Sequence, residues 1–345
     1  MSDISLPTVG ISCGDPNGIG IEVILKTLED SRILKSFTPI IFCNNKLLSE
    51  QMNSLSIKLD YVKISSSKKI VSGKINVINV WDHFFETDYG NPTADSGKAS
   101  YLSLKASVES LKSNDIDVLV TAPINKNNIQ NKEFEFPGHT DFLARELDGN
   151  SLMFMITENL KIGLLTDHIP LKSVYSQITE ERIQQKISLI NSSLKQDFGI
   201  TKPKIAILSI DPHVGDGGVI GSDDDEILKP TLVEMSKSGD LIFGPFSSDS
   251  FFGSDQYKKY DAVLAIYHDQ GLIPFKTISF GEGVNYTAGL KKIRTSPDHG
   301  TGYDIAGKGI ADHNSFKNAI FSALDILKNR KLYTALKGNP LTIKN

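Results

Sequence analysis

The chain alternates short apolar runs with longer amphipathic ones along its whole length. Val9-Gly10-Ile11-Ser12-Cys13 is followed by a glycine-rich turn and then by Ile21-Glu22-Val23-Ile24-Leu25-Lys26-Thr27-Leu28. The same strand, loop, helix rhythm returns at residues 39–43, 116–121, 162–165, 205–210 and 262–267. Short continuous apolar runs bounded by turn residues suit strands buried on both faces, and amphipathic runs suit the crossover helices that join parallel strands. Segments 97–111, 179–198, 224–235 and 315–327 repeat apolar residues at spacings of three and four, which predicts such helices. The expected class is α/β with a largely parallel sheet. No internal repeat, low-complexity tract or long linker breaks the rhythm, and Ser65-Ser66-Ser67-Lys68-Lys69 predicts an exposed turn between strands.

Three of the strand-like runs break into a loop at a histidine: Leu164-Leu165-Thr166-Asp167-His168, Ile210-Asp211-Pro212-His213 and Ala265-Ile266-Tyr267-His268. Ligands gather at the carboxyl ends of strands in open α/β sheets, so the repeated placement points to a shared site. Three neutral imidazoles that leave one position open for water or substrate suit a catalytic zinc or cobalt ion. A single strand-end histidine is ordinarily a hydrogen-bonded surface residue, but here three of the seven histidines share the placement.

At 345 residues with 39% apolar positions, the chain is long enough for two ordinary domains. Lys and Arg number 37 against 41 for Asp and Glu, a net charge of -4, which gives no general electrostatic reason to bind nucleic acid or an anionic membrane. The first residues lack the basic and apolar regions of a signal peptide, and no stretch approaches the roughly 20 apolar residues that span a bilayer, so a cytoplasmic protein is expected. Cys13 and Cys43 each lie in an apolar run, which predicts buried reduced thiols and excludes a thiol-rich metal site.

The first turn reads Gly14-Asp15-Pro16-Asn17-Gly18-Ile19-Gly20, where glycines allow tight backbone geometry at the start of a helix. It lacks the G-x-G-x-x-G spacing, as does Gly215-Asp216-Gly217-Gly218-Val219-Ile220-Gly221, so a Rossmann dinucleotide turn is poorly supported. Ser96-Gly97-Lys98-Ala99-Ser100 lacks the upstream glycine of a phosphate-binding Walker loop. Residues 267–309 are unusually dense in small, polar and charged residues. Within them Lys276, Asn285 and Arg294 could bind a phosphate, through a compact charge, an amide donor and a planar fork of donors respectively. Pro137-Gly138-His139-Thr140-Asp141 is either a binding loop or a helix start capped by Thr140 or Asp141.

Two segments carry a resemblance to a known superfamily. The turn at 14–23 resembles the first loop of the isocitrate and isopropylmalate dehydrogenases. His299-Gly300-Thr301-Gly302-Tyr303-Asp304-Ile305-Ala306-Gly307-Lys308-Gly309-Ile310 resembles the loop with which they hold the adenosine of their nicotinamide cofactor. The loop at 137–144, Pro212-His213 with its following glycines, Tyr267 through Lys276 and the 283–309 segment narrow the match. Together they resemble the 4-hydroxythreonine-4-phosphate dehydrogenase family of pyridoxal phosphate biosynthesis, over nearly the whole chain.

The resemblance implies two α/β lobes with an active-site cleft between them, residues 1–130 with 285–345 forming the first and 131–284 the second. It implies His168, His213 and His268 as ligands of a divalent metal, which could be zinc, cobalt, magnesium or manganese. It further implies His139, Thr140, Lys276, Asn285 and Arg294 as substrate contacts, and His299, Gly300, Thr301 and Asp304 as contacts to NAD. Family members are homodimers with the active site at the subunit interface, which implies that one ligand, expected to be His268, comes from the partner chain.

The implied reaction oxidises the C3 hydroxyl of 4-phosphooxy-L-threonine to 2-amino-3-oxo-4-phosphooxybutanoate, which loses carbon dioxide to give 3-amino-2-oxopropyl phosphate. A metal at the hydroxyl would act as a Lewis acid. Asp269 and Lys276 are the favoured candidates for the proton acceptor, with His139 or a metal-bound water as others. The chain departs from the family pattern at Ile21, where Pro is common, at Lys291 and Lys292, where a more apolar stretch is common, and at Asp167, where a hydroxyl is more usual. Two alternatives stay open: a dehydrogenase of a four-carbon sugar acid phosphate such as threonate or erythronate 4-phosphate, and a zinc-dependent hydrolase. A non-enzymatic metal-binding protein would leave the phosphate cluster and the cofactor loop unexplained.

Overall fold

The computed structural model describes residues 6–136, 139–147 and 149–338, without the side chains of His139, Thr140 and Asp141. The α/β class is observed, and the chain divides into two compact units, Met1–Gly149 with Leu290–Leu324, and Asn150–Gly289 with Asp325–Asn345.

The first unit contains strands β1 (Thr8–Ser12), β2 (Thr38–Cys43), β3 (Tyr61–Ile64), β4 (Ile75–Asn79) and β5 (Val118–Thr121). The second contains β6 (Gly149–Ile156), β7 (Lys161–Leu164), β8 (Lys204–Leu208), β9 (Leu241–Phe246), β10 (Ala262–Ala265) and β11 (Val284–Leu290). Strand β12 (Ile293–Pro297) returns to the first unit.

Within the first unit the order is β3-β4-β2-β1-β5-β12. Every pairing in that row is parallel, with Val9 opposite both Pro39 and Val118. All six residues of β2 and all four of β5 are buried, which explains why their sequences are apolar without alternation. The helix Ala94–Lys112 covers one face, starting from a capping box in which Thr93 and Ser96 satisfy each other's backbone N–H groups.

In the second unit the order is β11-β6-β7-β10-β8-β9. Strands β7, β10, β8 and β9 run parallel, and β6 is antiparallel to β7. Ile183, Ile187, Ile190 and Leu194 form the buried stripe of the helix Glu180–Gln196. The helix His268–Ser279 packs closely because Gly271 has no side chain: a Cβ there would lie 2.9 Å from Ala265 Cβ and from Leu164 Cδ2.

The division observed between the units falls at 149/150 and 289/290, where the family resemblance implied 130/131 and 284/285. Residues 131–136 and 139–147 belong with the first unit because Phe134, Phe142, Leu143 and Leu147 pack into the same core as Leu104, Leu111 and Leu119. Among the described residues no helix is long and apolar enough to cross a membrane.

Candidate functional site

Strand β10 lies between β7 and β8, and each of the three follows the same direction. His168 lies just beyond the carboxyl end of β7, His268 just beyond that of β10, and His213 just beyond that of β8. The rings of His168 and His268 are 5.5 Å apart between centroids. Asp269 Oδ1 accepts from His268 Nδ1 at 2.7 Å. A carboxylate can only accept, so Nδ1 carries the proton and Nε2 keeps its lone pair for a metal or a proton.

Asp269 and Tyr267 line two pockets. One, of about 320 Å³, also holds Asp167, His168 and His268. The other, of about 680 Å³, holds Asp211, His213 and Asp249. Among the described residues of one chain, no three His, Cys, Asp or Glu side chains gather as a metal-holding group. A pair of imidazoles, one of them oriented by a carboxylate, fits part of a divalent-metal ligand set, and His213 stands outside that pair.

The loop that carries His213 is held unusually. His213, Val214, Gly215, Asp216, Gly217 and Gly218 all have positive φ, from 45° at Asp216 to 92° at Gly218. The buried Asp224 carboxylate anchors the entry to this loop by accepting from the N–H groups of Ile210 at 3.0 Å and Asp211 at 2.9 Å. Burial raises the pKa of Asp224, and these two donors work against that rise.

The residues proposed for substrate contact fall in both units. In the second unit, Lys276 is exposed in the last turn of the helix His268–Ser279, and Asn285 on β11 has a buried Oδ1 without a hydrogen-bond partner. In the first unit, Arg294 on β12 is 1% exposed, and its Nε donates to Thr121 Oγ1 at 3.0 Å. Burial pushes the guanidinium down to about 9, so it stays charged at neutral pH. A buried cation of this kind favours an anionic ligand. His139 and Thr140 open the helix His139–Glu146, so the segment is a helix start, but Thr140 and Asp141 fall inside its first turn and not at the cap position expected for them; the side chains of His139, Thr140 and Asp141 lie outside the described residues.

The expected cofactor loop belongs to the first unit, where it packs on the first turn. Ile19 N–H donates to the Thr301 carbonyl at 2.9 Å, and a Cβ on Gly18 would come within 2.6 Å of that same oxygen. Lys26 Nζ donates to the carbonyls of Gly309 and Ala311, each at 2.8 Å, and Glu22 Oε1 accepts from Ala311 N–H at 2.7 Å. His299 Nδ1 is 3.0 Å from the Gly300 carbonyl, while its Nε2 is buried without a partner. A Cβ on Gly300 would meet nothing within 4 Å. Asp304 is exposed. An orphaned imidazole nitrogen, open space at Gly300 and an exposed carboxylate fit a polar, hydroxyl-bearing ligand such as a dinucleotide.

Sequence reasoning assigned no role to Asp15, Asn128 or Tyr303, yet the half-buried Asn128 and Tyr303 both hydrogen-bond the buried Asp15 carboxylate. The local signals were the glycine-rich turn that contains Asp15 and the 299–310 segment that contains Tyr303.

The sequence matches the family described as pyridoxal phosphate biosynthetic protein PdxA over residues 35–323. A 4-hydroxythreonine-4-phosphate dehydrogenase of Bacteroides thetaiotaomicron is 43% identical over 335 residues, covering 96% of this chain and 92% of the relative. A putative D-threonate 4-phosphate dehydrogenase of Oceanobacillus iheyensis is 33% identical over 325 residues, 93% of this chain and 98% of that one. Among solved structures, the 4-hydroxythreonine-4-phosphate dehydrogenase of Klebsiella pneumoniae superposes with a TM-score of 0.81 at 29% identity, covering 95% of this chain and 99% of the other.

Proposed function

The chain belongs to the PdxA family of pyridoxal phosphate biosynthetic proteins and is an oxidoreductase, and from this premise we propose that it oxidises 4-phosphooxy-L-threonine at C3 with NAD and a divalent metal. The product, 2-amino-3-oxo-4-phosphooxybutanoate, loses carbon dioxide to give 3-amino-2-oxopropyl phosphate. The observation that carries the reading is the set of three histidines at the carboxyl ends of three adjacent parallel strands, in a chain whose relatives are named for this substrate.

Each group then has a role. Lys276, Asn285 and Arg294 hold the phosphate, His139 and Thr140 contact the rest of the substrate, and His299, Gly300, Thr301 and Asp304 receive the dinucleotide. When bound, NAD accepts the C3 hydride and a divalent cation, zinc, cobalt, magnesium or manganese, draws charge from the C3 oxygen. Asp269 or Lys276 takes the hydroxyl proton, and Asp269 also holds the His268 ring in place.

The metal ligands are His168, His213 and His268, completed in a homodimer. Support comes from exposed apolar side chains in the second unit. Val219 is 83% exposed, Leu171 73%, Ile273 64% and Phe280 87%, which suits a surface that a second copy covers. The proposed setting is the cytoplasm.

A second reading is favoured by the relative named for D-threonate 4-phosphate, whose substrate has a hydroxyl where the amino group would be. The test is NADH formation by metal-loaded protein offered 4-phosphooxy-L-threonine, D-threonate 4-phosphate and D-erythronate 4-phosphate in parallel, with and without chelator. Chelator-sensitive turnover of the amino acid is expected. Turnover of a sugar acid phosphate alone would establish the second reading, and product formation without NADH would point to a hydrolase.

A further inference from the structure

Asp15 is a fully buried carboxylate to which the proposed chemistry assigns no task. It lies in the turn between β1 and the helix Gly20–Leu28. Its Oδ1 accepts from Asn17 N–H at 2.9 Å. Its Oδ2 accepts from Asn128 Nδ2 at 2.7 Å, Tyr303 Oη at 2.8 Å and Ser96 Oγ at 3.3 Å. Ser96 lies in the first turn of the helix Ala94–Lys112, Asn128 follows β5, and Tyr303 lies in the cofactor loop. One negative charge therefore joins segments far apart in sequence within the first unit. A carboxylate taken out of water is costly unless donors replace its hydration, and four donors do so here.

The backbone around it is equally fixed. Asp15 N–H donates to the Pro123 carbonyl at 2.9 Å, and the Asp15 carbonyl accepts from Gly18 N–H at 3.0 Å. Gly97 lets the helix Ala94–Lys112 approach, since a Cβ there would lie 2.0 Å from the Asn128 carbonyl oxygen. Burial and the charge on Asp15 raise the Tyr303 hydroxyl well above its ordinary range, so it stays protonated and donates.

Tyr303 stands between Thr301 and Asp304, two residues assigned above to the dinucleotide. The far end of the same loop has separate anchors, Glu22 and Lys26 on residues 309–311. We propose that Asp15 is a positioning residue for dinucleotide binding, acting through Tyr303 to set the front of the loop, residues 299–304, before the ligand arrives. Preorganisation of this kind lowers the ordering cost of binding without touching the reacting atoms. Loosening Tyr303 leaves the loop's far end and the bond from Ile19 N–H to the Thr301 carbonyl in place, so the effect is confined to dinucleotide affinity. The inference rests on the assignment of this loop to NAD.

The test compares the full-length wild-type protein with Tyr303→Phe and Asp15→Asn. NAD binding is measured by calorimetry, alongside steady-state kinetics for NAD and for the phosphorylated substrate and a melting curve. Wild-type protein that neither binds nor uses NAD would refute the underlying assignment rather than the role of Asp15. Given wild-type binding, Tyr303→Phe is expected to weaken NAD by about tenfold, in Kd and in KM, with kcat and the KM of the phosphorylated substrate unchanged. Asp15→Asn removes the negative charge and sets an amide donor against one of the donors that surround it, and is expected to weaken NAD further; if it fails to fold, Tyr303→Phe decides alone. Wild-type NAD affinity in Tyr303→Phe, or an equal loss for both ligands with a lower melting temperature, would overturn the inference.

Discussion

Val214 stands at φ +58° between His213 at +54° and Gly215 at +76°, in a conformation that β-branched residues rarely adopt. Left-handed backbone costs an L-residue about 1–2 kcal/mol, and a run of such residues persists only where the surroundings dictate it. Here the surroundings are Asp224, which clamps the N–H groups of Ile210 and Asp211, and Gly221, where a Cβ would lie 2.2 Å from Asp211 Oδ2. Val214→Gly is therefore expected to stabilise the protein by about 1 kcal/mol in denaturant melts, since glycine adopts this conformation freely. A lower midpoint would show that the Val214 side chain contributes more by packing than its backbone costs. The sequence displays the glycines of this loop plainly. It does not show that two flanking residues and a histidine share their conformation, because only the assembled loop imposes it.

The helix His268–Ser279 shows how an element can be hidden in a sequence. Gly271 and Pro274 weaken its helical pattern, yet Gly271 is there to let the helix lie against β7 and β10. Its first residues present the His268 and Asp269 pair at the end of β10. Asp269→Asn removes the carboxylate that fixes the ring, and metal affinity is expected to fall about 10- to 100-fold. Competition with a fluorescent chelator measures this, and an unchanged affinity would leave Asp269 without an orienting role. Elements buried on both faces, such as β2, β5 and β10, were legible as apolar runs. Strand β9 was not, because all six of its residues are exposed or half-buried and carry no pattern of burial.

At the scale of the whole molecule, the proposed homodimer makes a prediction that one chain cannot satisfy. If His213 and His268 serve one metal from different subunits, His213→Ala and His268→Ala proteins are each inactive, but mixed dimers formed by refolding them together regain activity at the one intact site. Mixtures as inactive as their parents would place both ligands in the same chain. By itself the sequence determined the α/β class, most of the parallel strands, the three strand-end histidines and the family, because each of these is written in local periodicity or in short contiguous motifs. Tertiary structure alone decided which unit residues 131–136 and 139–147 join, that β10 separates the strands of His168 and His213, and that Asp15 meets Tyr303 across 288 positions of chain. Those facts depend on packing and on the pairing of buried polar groups between distant segments, for which no local pattern of residues is a record.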